Sequence, residues 1–462
     1  MTATANEPNL REELVRRRLA GRATGRRSTI PTVDRSGDLP LSHGQQQMWF
    51  LNRMDPTSAE YLVSSALRLR GPLNHRALVR AWDALLARHE ILRTRYTLRD
   101  LTPQQVVDAP RHQELPLVDL TELPAADRAD RADQLMAELG DLGFDLATEW
   151  PVRATLLRLG AHEHLLVVVV HHIACDAPST VVLMDDLARL YGGYAVGDEP
   201  VLPPAGVQFA DFAAWQRDRL RGELLDRHLD YWRQQLADST PLELPTDRPR
   251  PRVRDWRGAS VPFALPAGVS AALRQVARDA DTTLFVTLLA AFQALLSRYT
   301  GRTDIPVGSV TSVRSRAELQ RLVGYGVDNL VLRGTWTGDP AFTELLAATR
   351  GTVLDAFDHT DTPFALLVDE LEPDRDLSRT PLYQVAFTLQ DDAPAGDWPA
   401  GITAEAVWPP TRTAKTDLTL HVVEGADGEL RGHIEYATAL FDPATVQRMA
   451  GHLGRLLAHV GA

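Results

Sequence analysis

The run from His164 to Val170 (HLLVVVV) is apolar at every position after its histidine and has the length of a strand. A strand that faces water on one side alternates apolar and polar side chains, so an unbroken run belongs to a strand covered on both faces. Elsewhere the period is helical. Between 74 and 89, Leu78, Trp82, Leu85 and Leu86 fall on one stripe, and Asn74 supplies an N-cap. The second half predicts helices over 267–278 and 283–299, with Gly301 at the end of the latter. Strands follow at 304–310 and 327–333, then a helix near 340–357, strands at 383–389 and 416–423, and a last helix over 442–460.

Helices and strands are mixed in both halves, which predicts two α/β lobes of similar size. Residues 1–38 read as a polar start, a short basic helix and a flexible linker. The stretch 241–258 (PLELPTDRPRPRVRDWRG), with four prolines and many charges, reads as a linker between lobes. The expected division is a first lobe over 39–243, a linker over 244–256 and a second lobe over 257–462. A chain of 462 residues is also too long for one ordinary hydrophobic core.

Apolar residues make up 44% and charged residues 24%, the profile of a soluble globular protein without a membrane-spanning run. The net charge of −12 argues against nucleic acid as the main partner. Cys175 is the one cysteine, so no internal disulfide forms; together with an N-terminus lacking an apolar signal region this fits a cytoplasmic protein. Residues 11–27 carry seven arginines and run against the acidic trend. They are either a solvated helix face or a basic patch for an acidic partner protein.

The informative sentence is His171-His172-Ile173-Ala174-Cys175-Asp176, directly after the buried strand. Neighbours on a strand point to opposite faces, so one histidine can face the core and the other a cavity. The same geometry argues against both chelating one metal, and Arg88-His89-Glu90 lacks the second histidine of a zinc motif. A lone histidine at the end of an apolar strand is most often structural; a histidine with an aspartate four residues on is more specific. An imidazole with an ordinary pKa of about 6.5 can take the proton that an amine or hydroxyl loses on attacking a thioester. Asp176 precedes Pro178 and Ser179 at a strand-to-helix turn, where a carboxylate serves geometry by binding backbone donors or an arginine. Cys175 is a poor choice of nucleophile, because no second base is assigned to it. There is no GxSxG elbow, no Walker loop and no GxGxxG after a strand; Gly324-Tyr325-Gly326 is only a fragment.

Further motifs stand in order around this one. They are Ser42-His43-Gly44-Gln45 followed by Trp49 and Leu51, Arg88 to Thr94 (RHEILRT), Phe209 to Trp215 (FADFAAW), Asp361 to Phe364 (DTPF) and Arg375 to Leu382 (RDLSRTPL). With HHxxxD they resemble, over residues 40–460, the condensation domain of nonribosomal peptide synthetases. The resemblance implies a V-shaped pseudo-dimer of two chloramphenicol-acetyltransferase-like lobes, with a central tunnel and catalytic His172 at its centre. It implies transfer of an acyl or aminoacyl group from a carrier protein's phosphopantetheine thioester to an amine or hydroxyl, as in antibiotic biosynthesis. The chain binds no cofactor of its own in this reading. A separate acyl- or peptidyl-carrier protein brings the donor, and the acceptor is a small-molecule amine or alcohol or sits on a second carrier. No nucleic acid, membrane or metal is expected. Because the sequence ends just after its last helix, it is expected to act as a free-standing enzyme.

Arg314 aligns with the family's arginine and is the candidate partner of Asp176. Three positions depart from the family's pattern. Ala177 replaces the glycine of HHxxxDG, restricting φ and narrowing the space beside His172. Gly326 and Asp328 replace the Phe and Asn of GxFVNT; they point to a reshaped acceptor side, with Asp328 adding a negative charge near the tunnel. Rival readings are a catalytically silent docking module, an epimerase of the same fold and a coenzyme A-dependent acyltransferase. Retention of His172 and Asp176 argues against the first, and the second would need an additional acidic residue.

Overall fold

The apolar run forms the central strand of a five-stranded sheet. The structure, a computed structural model, describes residues 29–372, 374, 376–391, 396–399, 401–407, 412–425 and 427–461. The arginine-rich segment 11–27 and Arg375 lie outside the described residues. In chain order the first part holds β1 (Leu39–Pro40), α1 (His43–Met54), β2 (Leu62–Arg70), α2 (His75–Arg88), β3 (Thr94–Arg99), β4 (Thr102–Val107), β5 (Leu117–Asp119), α3 (Ala125–Gly140), β6 (Val152–Gly160), β7 (Glu163–His171), α4 (Ala177–Val196) and α5 (Phe209–Arg219). β7 pairs antiparallel with β2 on one side and β6 on the other, and every residue from His164 to His171 is buried. The predicted helix is α2: Asn74 Oδ1 accepts the Ala77 N–H at 3.1 Å, and Leu78, Trp82, Leu85 and Leu86 are buried in the first core.

The second part holds α6 (Glu223–Gln235), β8 (Gly258–Ala264), α7 (Ala267–Asp279), α8 (Leu284–Thr300), β9 (Asp304–Ser312), β10 (Val327–Thr335), α9 (Phe342–Asp358), α10 (Phe364–Leu371), β11 (Val385–Asp391), β12 (Thr403–Val407), β13 (Leu418–Glu424), β14 (Leu430–Ala437) and α11 (Pro443–Val460). Its sheet runs β10-β9-β11-β13-β14-β8. Thr283 caps α8 through the Val286 N–H, and Gly301 ends it in the left-handed conformation with φ +69°. Leu418, Leu420 and Val422 of β13 enter the second core. The alternate position His421 projects from the other face, beside His433 of β14, with the rings stacked 4.6 Å apart.

The cores do not divide where composition suggests. Trp232, Leu236 and Leu242 belong to the second core, so the second lobe begins at α6 and not after residue 243. β12 of the second half pairs antiparallel with β2, completing the first-lobe sheet in the order β12-β2-β7-β6-β5. Trp398 and Ile402 join the first core with it. The β9–β10 connection also reaches across, burying Leu319, Leu322 and Val323 in the first core. The stretch 244–256 is fastened at both ends. Leu244 enters the second core, Arg250 pairs with Asp417, and Arg254 pairs with Glu60 of the first lobe. Proline lacks an N–H to satisfy and these arginines meet carboxylates, so a polar, proline-rich segment lies ordered against the fold.

Candidate active site

His171 and His172 part company where β7 ends. His171 is 3% exposed, accepts the Ile173 N–H on Nδ1 at 3.1 Å and meets Phe144 edge-on. It caps the tight turn His172–Ala174 and is structural. His172 is held from two sides. Its N–H donates to the Tyr61 carbonyl at 2.8 Å, and its Nδ1 lies 2.7 Å from the Cys175 carbonyl oxygen. A carbonyl only accepts, so Nδ1 carries the proton and Nε2 the lone pair. The ring stands edge-on to Tyr325, with centroids 5.0 Å apart.

His172 is deep among protein atoms yet keeps accessible surface. Burial, and then the nearby Lys415 cation, push its pKa down to about 3. The imidazole is therefore neutral at physiological pH, and not half-protonated near 6.5 as an exposed histidine is. Lys415 is fixed through its backbone. Its carbonyl accepts from Arg254 and Thr380, each at 2.8 Å, and its Nζ lies 5.6 Å from the centre of the Tyr61 ring. Cys175 is buried with its thiol pushed up to about 12 by desolvation, so it supplies no thiolate.

Asp176 is fully buried and caps α4. Its Oδ1 accepts the Ser179 N–H at 2.9 Å, and its Oδ2 accepts the Gly326 N–H at 2.9 Å. Arg314 grips both oxygens, each at 2.8 Å. The guanidinium also donates from Nε and Nη2 to the Leu322 carbonyl, at 3.0 and 2.8 Å. The structure thus brings Asp176 and Arg314 together as a bidentate pair, through which the β9–β10 connection is joined to the start of α4.

Two expectations about the departures from the family's pattern need correction. Ala177 is the first residue of α4; its backbone is ordinary helix, and its exposed methyl group imposes no restriction on φ that the helix does not already satisfy. Gly326 does not open the acceptor side. A Cβ there would lie 2.7 Å from Arg314 Nη1, so the glycine is what lets the guanidinium approach the loop. Asp328 is deep among protein atoms. It keeps partial exposure, its Oδ1 accepts the Phe364 and Asn329 N–H groups at 3.0 and 2.8 Å, and burial raises its pKa to about 7.

Several motif residues outside HHxxxD serve the frame. Ser42 and Gln45 form a capping box on α1. Arg35 ties Glu90 to Asp211, each at 2.7 Å. His89 and Arg88 both bind Asp186, at 2.8 and 2.9 Å. Tyr61, Tyr325, Tyr383 and Lys415 were missed as site residues, because nothing local in the sequence says that they face one space. Among the described residues no group of three or more His, Cys, Asp or Glu side chains is placed to hold a metal.

Residues 35–462 match the Condensation domain family. This chain belongs to the condensation-domain family. The domain is 43% identical over 450 residues to a linear gramicidin synthase of Brevibacillus parabrevis, covering 96% of this chain and 6% of that protein. It is 37% identical over 461 residues to phosphinothricin tripeptide synthetase PhsC of Streptomyces viridochromogenes, covering 99% of this chain and 42% of the relative. The chain thus spans less than half the length of these synthetases. Among solved structures, the X-domain from teicoplanin biosynthesis superposes with a TM-score of 0.85 at 30% identity, covering 94% of this chain and 97% of that one. The first condensation domain of the calcium-dependent antibiotic synthetase, in complex with a substrate analogue, gives 0.77 at 20% identity, over 92% and 97% of the two chains. The two-lobed architecture is that of condensation domains, and the family reaction is acyl transfer with amide bond formation in nonribosomal peptide synthesis.

Arg314→Met leaves Asp176 buried without its counter-charge and should cost about 3–5 kcal/mol of stability. In a double-mutant cycle with Asp176→Asn, chemical denaturation should show coupling on the order of 0.5–3 kcal/mol; additive effects would mean that the pair is not the link. Acid should also destabilise the domain. His171, His172 and His421 are pushed from 6.5 to about 3, and His43 and His228 to about 4, all mainly by burial. Unfolded histidines take up protons below 6.5 while the folded ones do not, so their stabilisation is complete above that pH and lost as pH falls toward 3. Asp328 and Glu435, both raised mainly by burial, work in the opposite direction and are fewer. Thermal unfolding followed between pH 8 and 4 should show the midpoint falling below about pH 6.5; a midpoint that is level or rises on acidification would contradict the burial of these rings.

Proposed function

We propose that the domain transfers an acyl or aminoacyl group from the phosphopantetheine thioester of a carrier protein to an amine or hydroxyl, with His172 handling the proton. The observation that carries this reading is the fixed tautomer of His172, which leaves the Nε2 lone pair free on a ring that keeps accessible surface. Attack of an amine on the thioester carbonyl forms the C–N bond and generates an acidic N–H on the attacking nitrogen. Nε2 takes that proton, the C–S bond breaks, and the resulting imidazolium returns the proton to the leaving thiolate. An imidazole with a depressed pKa is a weak base for a neutral amine but an adequate one for that tetrahedral intermediate. The Lys415 cation that depresses His172 also favours negative charge on the carbonyl oxygen.

A second reading is favoured by one observation: an X-domain of 31% identity and TM-score 0.85 is known in complex with OxyB, so a domain of this shape can serve as a platform for another protein. Turnover separates the two. The same aminoacyl group should be offered on its carrier, on coenzyme A and on a short pantetheine thioester, with products followed by intact mass. The carrier-bound donor should have the highest kcat/KM. His172→Ala should lower it by about 100- to 10,000-fold while thermal unfolding is unchanged. Equal use of all three donors would move the reading to a coenzyme A-type acyltransferase. Indifference to His172→Ala, or no turnover with any donor, would favour the docking platform.

A further inference from the structure

Asp328 is a carboxylate with one oxygen employed and the other free. Oδ1 holds the first N–H of α10, at Phe364, and the N–H of Asn329. Among the described residues, Oδ2 has no hydrogen-bond partner and no Lys or Arg side chain pairs with it. Arg314 is committed to Asp176, and Arg254, whose charge acts on Tyr383, is committed to Glu60. The charge of Asp328 acts on the phenols of Tyr325 and Tyr383, so these two rings are its close surroundings, and Tyr325 is the ring that abuts His172. Tyr325 thus neighbours both Asp328 and His172, and both of these groups are deep yet keep accessible surface.

Deep charges in proteins are neutralised by a partner, by protonation or by a ligand. Burial drives Asp328 part of the way to protonation, to about 7, and the described residues offer it no cation. Amines related to amino acids arrive at neutral pH largely as ammonium ions, with an α-amino pKa of about 7.7–8.0. We propose that the free oxygen of Asp328 receives the protonated amine of the acceptor, making Asp328 the residue that selects an amine acceptor over a neutral one. This rests on the acyl-transfer reading above. The ion pair holds the nitrogen beside Tyr325, the ring that His172 also meets; the amine becomes nucleophilic when it gives up one proton to the carboxylate or to water, and Nε2 handles the next proton during attack.

The bland role of Asp328 is to hold α10 through Oδ1. Asp328→Asn keeps an oxygen for that task and removes only the charge. Calorimetry at pH 7.5 would compare two unreactive probes, a pantetheine arm ending in a glycyl amide and the same arm ending in an acetyl amide, which differ by the ammonium. Wild-type protein should bind the glycyl probe about ten-fold more tightly, a factor of the size a charge-assisted hydrogen bond gives. Asp328→Asn should bind both alike, with an unfolding midpoint no lower than that of the wild type. A wild-type domain with no preference for the glycyl probe, whether it binds both or neither, overturns the proposal, as does a preference that the variant retains. A variant whose unfolding midpoint collapses assigns the carboxylate to the frame and overturns it too. No bond is formed in the measurement, so it can fail while carrier-bound donors still turn over, and succeed where they do not.

Discussion

The bidentate pair of Asp176 and Arg314 is the constraint on which the site depends. A carboxylate with no exposure has to be fully satisfied, and here it is, by a helix N-terminus, a loop N–H and both arms of a guanidinium. That geometry sets the first turn of α4 and therefore the carbonyl of Cys175, the residue before the cap. The same carbonyl accepts from His172 Nδ1 and so decides which nitrogen of the ring is the base. The loop side is also tight: a Cβ on Gly326 would lie 2.7 Å from Arg314 Nη1, so the guanidinium would have to shift, and a Cβ on Gly324 would lie 2.0 Å from the Phe209 ring.

Around this frame burial displaces the titratable groups in opposite directions. His172 is kept neutral and Lys415 is pushed down, while Asp328 and the phenols of Tyr61, Tyr325 and Tyr383 are pushed up. Burial of this kind makes full charge costly on these groups, and the charges of the reactants count for more there than in water.

Much of this was legible in the sequence, for physical reasons that also explain the rest. The buried strand announced itself because six successive positions, Leu165 to Val170, needed no polar face. Alternation at the strand end allowed one histidine to face the core and the other a cavity, and the family resemblance pointed to His172 as the second. α2, α8 and the later strands lie within two residues of their expected bounds because caps and periodicity are local signals. The motif order drew Asp176 and Arg314 together across 138 positions. What failed was everything decided by contact between lobes. β12 is a five-residue edge strand, Thr-Ala-Glu-Ala-Val, whose composition does not say which sheet it joins. Trp232 stands before the proline-rich stretch in sequence but behind it in space. Gly326 looked like lost bulk on the acceptor side until the guanidinium beside it was seen.

The claim most exposed to a direct check is the state of His172. Two-dimensional 15N spectra of the imidazole nitrogens, assigned by comparison with His172→Ala, report the tautomer and its titration. The account predicts a neutral ring from pH 8 to pH 5 with the proton on Nδ1 and none on Nε2. A ring protonated on Nε2 alone, or one that becomes imidazolium with a midpoint near 6.5, would contradict it.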